Sequence, residues 1–214
     1  DQISAALLQR SDELNDIPNL MPDDTGMIHS KVLVLKDFII FPKMISPIFI
    51  SDPEDLQVIG EVLEKNSTLI GMIKNEEGDA YYEIGIEFAI GNMIAIGEDN
   101  YSALIQGRRR VVIDEVIERD DGCFITATPV ESNEIYEKKT KALGKITMDL
   151  FNQCVQLDRS LPEDISVYVM SISEIDWQAD VIASAISLPF EKRVAILQYV
   201  DINERLQFIN QCLA

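Results

Sequence analysis

The chain is poor in the residues that most active-site chemistry needs. It has one histidine, one tryptophan and three cysteines among 214 residues. Cys123, Cys154 and Cys212 lie far apart in no metal-ligand spacing, and the single His29 cannot complete a zinc set with them. His29 also falls in a polar stretch where nothing would hold a general base, so it reads as a structural or solvated side chain. Positive charge is scarce: 18 lysines and arginines against 37 acids give a net charge of −19. Such a surface repels phosphate backbones and argues against nucleic acid as a principal partner. No apolar run approaches the ~20 residues of a membrane-spanning helix. The opening "DQISAALLQRSDELNDIPN" lacks the basic-then-apolar order of a signal peptide. The expectation is a reduced, cytoplasmic protein with no cofactor, no metal and no membrane partner.

Catalytic motifs are missing as well. A phosphate-binding loop needs Gly-Lys-Ser/Thr after its glycines, and here Gly107 is followed by arginines. "GIEFAIGNM" has the wrong spacing for a dinucleotide fingerprint, and there is no Gly-x-Ser-x-Gly elbow. Carboxylates are so plentiful that a pair chosen from the sequence alone carries no weight. A small hydrolase using such a pair remains an alternative, which turnover by the purified chain would reveal.

What is present is a set of short apolar segments with clear punctuation. Residues 1–30 are polar and acidic, an irregular arm with one short helix expected over "ISAALLQR". Residues 31–131 read as many short strands and one helix, the pattern of a small β-barrel or strongly bent antiparallel sheet. "KVLVL", "SPIFI", "STLIGMIKN", "EIGIEFAIGNMIAIGED", "SALIQGRRRVVIDEVIER" and "FITATPV" supply the strands, with Gly107 a bulge or bend. "DPEDLQVIGEVLEKN" supplies the helix: Asp52 caps it, Pro53 starts it, and Glu54 and Asp55 suit its first turn. Residues 132–214 read as an α-helical bundle. Its first helix is given an apolar side of Ile135, Leu143, Ile146, Leu150 and Val155, and a later one a Ser173 cap with Asp176 three residues on. The last helix repeats Ile202, Leu206, Ile209 and Leu213 at four, three, four and reaches Ala214 without a stop signal. That seam is expected to serve assembly in a natural chain that continues, with a C-terminal helix docked in its own bundle as the alternative. The fold class is therefore α+β.

Two features invite a binding role. In "GRRRV", strand alternation puts Arg108 and Arg110 on one face and Arg109 on the other, suited to surface ion pairs. Phe38, Phe41, Met44, Phe49 and Met93 suit either the core of a small barrel or an adaptable apolar groove.

The segment "VLVLKDFIIFPKMISPIFI" resembles the opening of the N-terminal domain of Lon, the ATP-dependent protease. Leu35, Asp37, Phe41, Pro42, Met44 and Pro47 carry the match, with Lys36 in place of the more usual arginine and Ser51-Asp52-Pro53 in place of Gly-Arg. "YYEIGIEFAI" follows in the same order through Glu83, Gly85, Ala89 and Ile90, then "ALIQGRRRVVI" through Gly107 and Arg110. "WQADVIASAI" and "VDINERLQFINQCL" complete a likeness that spans residues 31–214. The resemblance implies a PUA-like β-barrel subdomain followed by a helical bundle. It also implies a non-catalytic role in substrate recognition and oligomer assembly, with the ATPase and the Ser-Lys protease in other parts of a longer protein. The implied partners are unfolded or damaged protein clients and other Lon subunits. The client patch is expected around Phe38, Phe41 and Met44, with Met93. A stand-alone Lon-domain binding module is the alternative.

Overall fold

Two prolines decide how the apolar run from Leu35 to Ile50 folds. In the computed structural model, which describes residues 12–36, 38–75, 77–78, 80–119, 122–132, 135–162 and 164–214, strand β1 (Ile28–Leu35) ends before Pro42. The chain then makes a tight turn over Phe41–Met44, in which the Met44 N–H donates to the Phe41 carbonyl at 3.2 Å. Pro42 presets φ at the second position and Lys43 takes a positive φ of 62° at the third. Strand β2 (Ile45–Ile50) follows, with Ile48 and Ile50 buried and the residues between them turned out. Asp37 and the expected "ISAALLQR" helix lie outside the described residues.

Helix α1 (Pro53–Glu64) begins as the sequence predicts, with the Asp52 carboxylate accepting from the Glu54 N–H at 3.0 Å. It ends on Asn66 at φ 47°, with Ser67 N–H on the Val62 carbonyl and Asn66 N–H on the Leu63 carbonyl. That is the Schellman pattern, and asparagine tolerates its left-handed residue. Strands β3 (Leu69–Ile73), β4 (Ile84–Ile90), β5 (Ile94–Gly97), β6 (Asn100–Arg119) and β7 (Gly122–Pro129) complete the first unit.

The pairings close into a ring: β6 joins β4, β4 joins β3, β3 runs parallel with β1, β1 joins β7, and β7 returns to β6. β2 and β5 lie off the ring, each hydrogen-bonded to β6. Ile28, Val32, Ile70, Met72, Val111, Ile125 and Ala127 form one core cluster. β6 is long enough to serve two neighbours on each side because it bulges. Glu87 faces Arg109 while Phe88 faces Gly107, which leaves Arg108 as the extra residue.

The chain divides into two compact units at Val130/Glu131. The second holds α2 (Lys138–Leu157), α3 (Ile165–Ser171), α4 (Ile175–Ala185), α5 (Phe190–Gln198) and α6 (Ile202–Leu213). Its first helix departs from the expected stripe. Ile135 lies outside the helix at 91% exposure, Ile146 is exposed, and the buried face is Thr140, Gly144, Thr147 and Phe151. Small residues win here because they let helices approach: a Cβ added at Gly144 would stand 3.2 Å from Ile175. Thr140 Oγ1 then donates to Asn203 Oδ1 at 2.9 Å. Ser173 does not cap α4 either. The cap position is Glu174, whose side chain makes no capping hydrogen bond, and Asp176 is drawn off to Arg205 at 3.3 Å.

Candidate functional site

The face of the first unit that carries the odd-numbered residues of β2 is the candidate site. Register places Ile45 opposite Gln106, Pro47 opposite Leu104 and Phe49 opposite Ser102, and Ser102 faces Ile94 of β5 on its other side. Directly paired residues share a face, so Phe49, Ser102 and Ile94 form one row across three strands. Phe49 is 76% exposed and Ile94 46% exposed; Ile45 and Ile96 are exposed beside them.

The neighbouring part of the same face is already covered by the N-terminal arm. Leu14 is fully buried against Ala89 and Leu104, with Ile17 packed alongside. Two of the three consecutive arginines explain how a polar arm is held. Arg108 Nη2 donates to the carbonyls of Leu14 and Ile17. Arg109 Nη2 donates to the Leu20 carbonyl at 2.8 Å, and its Nε to Glu87 at 2.7 Å. The bulge lets Arg108 and Arg109 both serve the arm, so the expected alternation and the expected surface ion pairs give way to a clamp. Glu87, with no exposure, accepts from the Leu20 N–H, the Thr68 hydroxyl and Arg109. A buried carboxylate with three donors is a structural joint.

A cleft of about 450 Å³ runs along the outer edge of β2, within the ~300–1,000 Å³ usual for binding clefts. Four consecutive β2 residues, Pro47 to Ile50, line it, so one wall is the strand edge itself. The other wall comes from Leu33, Val34, Lys36 and Phe38, and the end is closed by Ser51, Asp52 and Asp55. Lys36 Nζ pairs with Asp52 at 3.3 Å. The Glu54 N–H and Lys36 hold the Asp52 carboxyl below its ordinary range. The bond to Asp52 and the charge of Asp55 raise the Lys36 ammonium. Burial, then the charge of Asp52, push the Asp55 carboxyl up.

The residues expected in the client patch are not equally placed. Phe41 is 1% exposed, a core side chain beneath the turn, and presents nothing to a ligand. Phe38, Met44 and Met93 are half-buried, and Phe38 alone of the four lines the cleft. The most exposed aromatic, Phe49, was legible from alternation: it stands between Ile48 and Ile50, both turned inward. In the second unit Ile202, Leu206 and Ile209 are buried, with Leu213 half-buried, so that seam packs within its own unit instead of presenting a free face. Arg205, 2% exposed, joins α6 to α4 through Asp180 at 3.3 Å and also donates to the Tyr199 and Val200 carbonyls. The exposed large apolar residues of this unit, among those described, are Ile146, Leu157, Val167, Tyr168, Met170 and Val200, with Ile135 ahead of α2. Among the described residues no group of His, Cys, Asp and Glu could hold a metal ion, and no helix is long and apolar enough to cross a membrane.

Residues 30–214 match the model of the ATP-dependent protease La (LON) substrate-binding domain. The chain is 26% identical over 185 residues to the Lon protease of Xanthomonas oryzae pv. oryzae, covering 83% of this chain and 22% of that protein. It is 24% identical over 213 residues to the Lon protease of Geobacter metallireducens, covering 96% and 25%. The chain thus spans about a quarter of the length of these relatives. Among solved structures, the N-terminal domain of a Mycobacterium avium complex Lon protease aligns at a TM-score of 0.76 with 23% identity, covering 86% of this chain and 97% of that one. The Lon N-terminal domain protein from Xanthomonas campestris aligns at 0.61 with 14% identity, covering 84% and 95%, and shares the fold.

Proposed function

The chain belongs to the ATP-dependent protease La (LON) substrate-binding domain family, and from that premise we propose that it is the non-catalytic client-recognition module of a Lon-type protease acting in the cytoplasm. It selects unfolded or damaged proteins by the apolar side chains that folding would have hidden. The observation that carries this reading is the row Phe49–Ser102–Ile94, where large apolar side chains stand open on a sheet face whose other half is sealed by the arm. Phe38, Met44 and Met93 contribute the margin, and Phe41 supports it from below.

Magnitudes fit a sampling role. Burying one such side chain contributes about 1.5–3 kcal/mol, so two or three give weak attachment once the cost of association is subtracted. Weak contacts release a client readily, and several copies in one assembly restore affinity through avidity. We place the module's contacts with other subunits on the exposed positions Leu157, Val167 and Met170, since the Ile202–Leu213 seam is occupied. Degradation itself belongs to the ATPase and protease parts of the longer protein.

Crosslinking tests the reading. A photoreactive residue at position 49 or 94 should label a permanently unfolded client, and one at Leu157 should not. Labelling confined to Leu157 and the helical unit would remove the proposal.

A further inference from the structure

The edge of β2 has a donor pattern that the exposed patch does not explain. Pro47 has no N–H, so its pair with Leu104 cannot be a hydrogen-bonded one. Antiparallel pairs alternate, and the Gly107 N–H to Met44 carbonyl bond at 2.9 Å fixes the phase. Residues 46, 48 and 50 therefore bond to β6. The N–H groups of Ile45 and Phe49 and the carbonyls of Ile45, Pro47 and Phe49 point away from it. Among the described residues no strand pairs with that edge, and it forms one wall of the 450 Å³ cleft. An unpaired strand edge is a template for another strand.

Resting on the client-recognition reading, we propose that clients bind by strand addition: an extended segment pairs antiparallel with the outer edge of β2, the more stable pairing per residue, sets an aliphatic or aromatic side chain against Phe38 and Leu33, and brings a lysine or arginine to Asp55. Charge complementarity selects the cation. Asp52 and Asp55 line the end of the cleft, and Lys36 is the one cation among the residues lining it, already bonded to Asp52. Burial first, and then the neighbouring Asp52, raise the Asp55 carboxyl although Lys36 partly offsets them, so a second cation there would favour its charged form, and the chain's −19 draws cationic segments from a distance. Main-chain pairing makes the site tolerant of sequence, as a quality-control surface requires, while the cleft and Asp55 set a preference. The Pro47 gap keeps the ladder short and the attachment reversible.

The main-chain part of the test uses the native chain alone. A peptide of about ten residues, alternating valine and threonine around one phenylalanine and one lysine, spans a long strand. Its binding is compared with two versions N-methylated on alternate residues, because only one alternate set faces β2. One version should lose roughly tenfold in affinity, as expected for two missing main-chain bonds, and the other should stay within about twofold. Equal binding by both, or equal loss by both, overturns strand addition while client recognition stands. No binding by the unmethylated peptide overturns both. Replacing the lysine by norleucine should weaken binding roughly two- to fivefold on the native chain and leave it unchanged on Asp55→Asn. No effect on the native chain overturns the cationic preference.

Discussion

Gly107→Ala is the sharpest perturbation of the first unit. The turn over Phe41–Met44 lies directly on Gly107: Lys43 N–H donates to the Gly107 carbonyl at 2.8 Å, and the Gly107 N–H donates to Met44. An added Cβ would stand 2.2 Å from the Phe41 carbonyl oxygen and 2.8 Å from its carbon. Both are backbone atoms, so no side-chain rotation relieves the clash. The turn must shift by most of an ångström or β6 must bend. Overpacking of this kind costs about 1–3 kcal/mol, and loss of the two turn hydrogen bonds adds about 0.5–1.5 kcal/mol each. Gly60→Ala is the matched control. Gly60 is inside α1 with nothing within 4 Å of an added Cβ, so alanine there should stabilise by about 0.5–1 kcal/mol. Trp177, the one tryptophan, is in the helical unit, so the assay is amide hydrogen exchange across β6 and β2. Gly107→Ala should speed exchange at Ile45 to Ile50 and through the bulge, and Gly60→Ala should slow exchange in α1. Two variants of equal stability would refute the reasoning that couples the Phe-Pro turn to this glycine.

Other outcomes follow from the same geometry. Phe49→Ser should lower client affinity roughly ten- to a hundredfold, since about 1.5–3 kcal/mol of apolar burial is lost, with thermal stability unchanged by calorimetry; an unaltered affinity would move the site elsewhere. Arg205→Met takes the arginine away from buried Asp180 and should cost about 3–5 kcal/mol in urea titration, with Asp180→Leu in the same chain recovering most of it. Glu87→Gln turns an acceptor toward Arg109 into a donor; losing a charged hydrogen bond costs about 1.5–3 kcal/mol, and limited proteolysis should cut residues 12–20 sooner. Burial, chiefly, pushes the Tyr136 hydroxyl from its ordinary value near 10 to about 12. A raised folded pKa means the stabilisation is intact below pH 10 and lost as pH climbs toward 12. Tyrosinate absorbance compared with Tyr136→Phe should show that late titration.

Local punctuation was legible in the sequence and tertiary recruitment was not. The caps at Asp52 and Asp201 act as their spacing indicates, with Asp201 accepting from the Asn203 and Glu204 N–H groups at 2.8 and 3.0 Å. The bulge appears one residue after Gly107, at Arg108, and alternation in "ISPIFI" turns Phe49 out between two buried isoleucines. The arm was illegible because its anchors are its own carbonyls, which every residue carries, met by arginines some 90 positions away in the chain. The buried face of α2 was illegible because threonine and glycine do not read as apolar, yet close helix approach demands them. The likenesses at "WQADVIASAI" and "VDINERL" become one feature in space, since Asp180 and Arg205 are the two ends of a single buried pair. For Phe41 the sequence leaves core and groove open, and the structure places it in the core, where the proline turn sits down on Gly107.

The central claim is that this chain grips extended, unfolded polypeptide on the β2–β6–β5 face and the edge beside it. Backbone and methyl shift mapping of the labelled chain during titration with a permanently unfolded client tests it most directly. Shifts should concentrate at residues 45–50, 94–97 and 33–38. Shifts confined to 131–214, or spread evenly over both units, would contradict it.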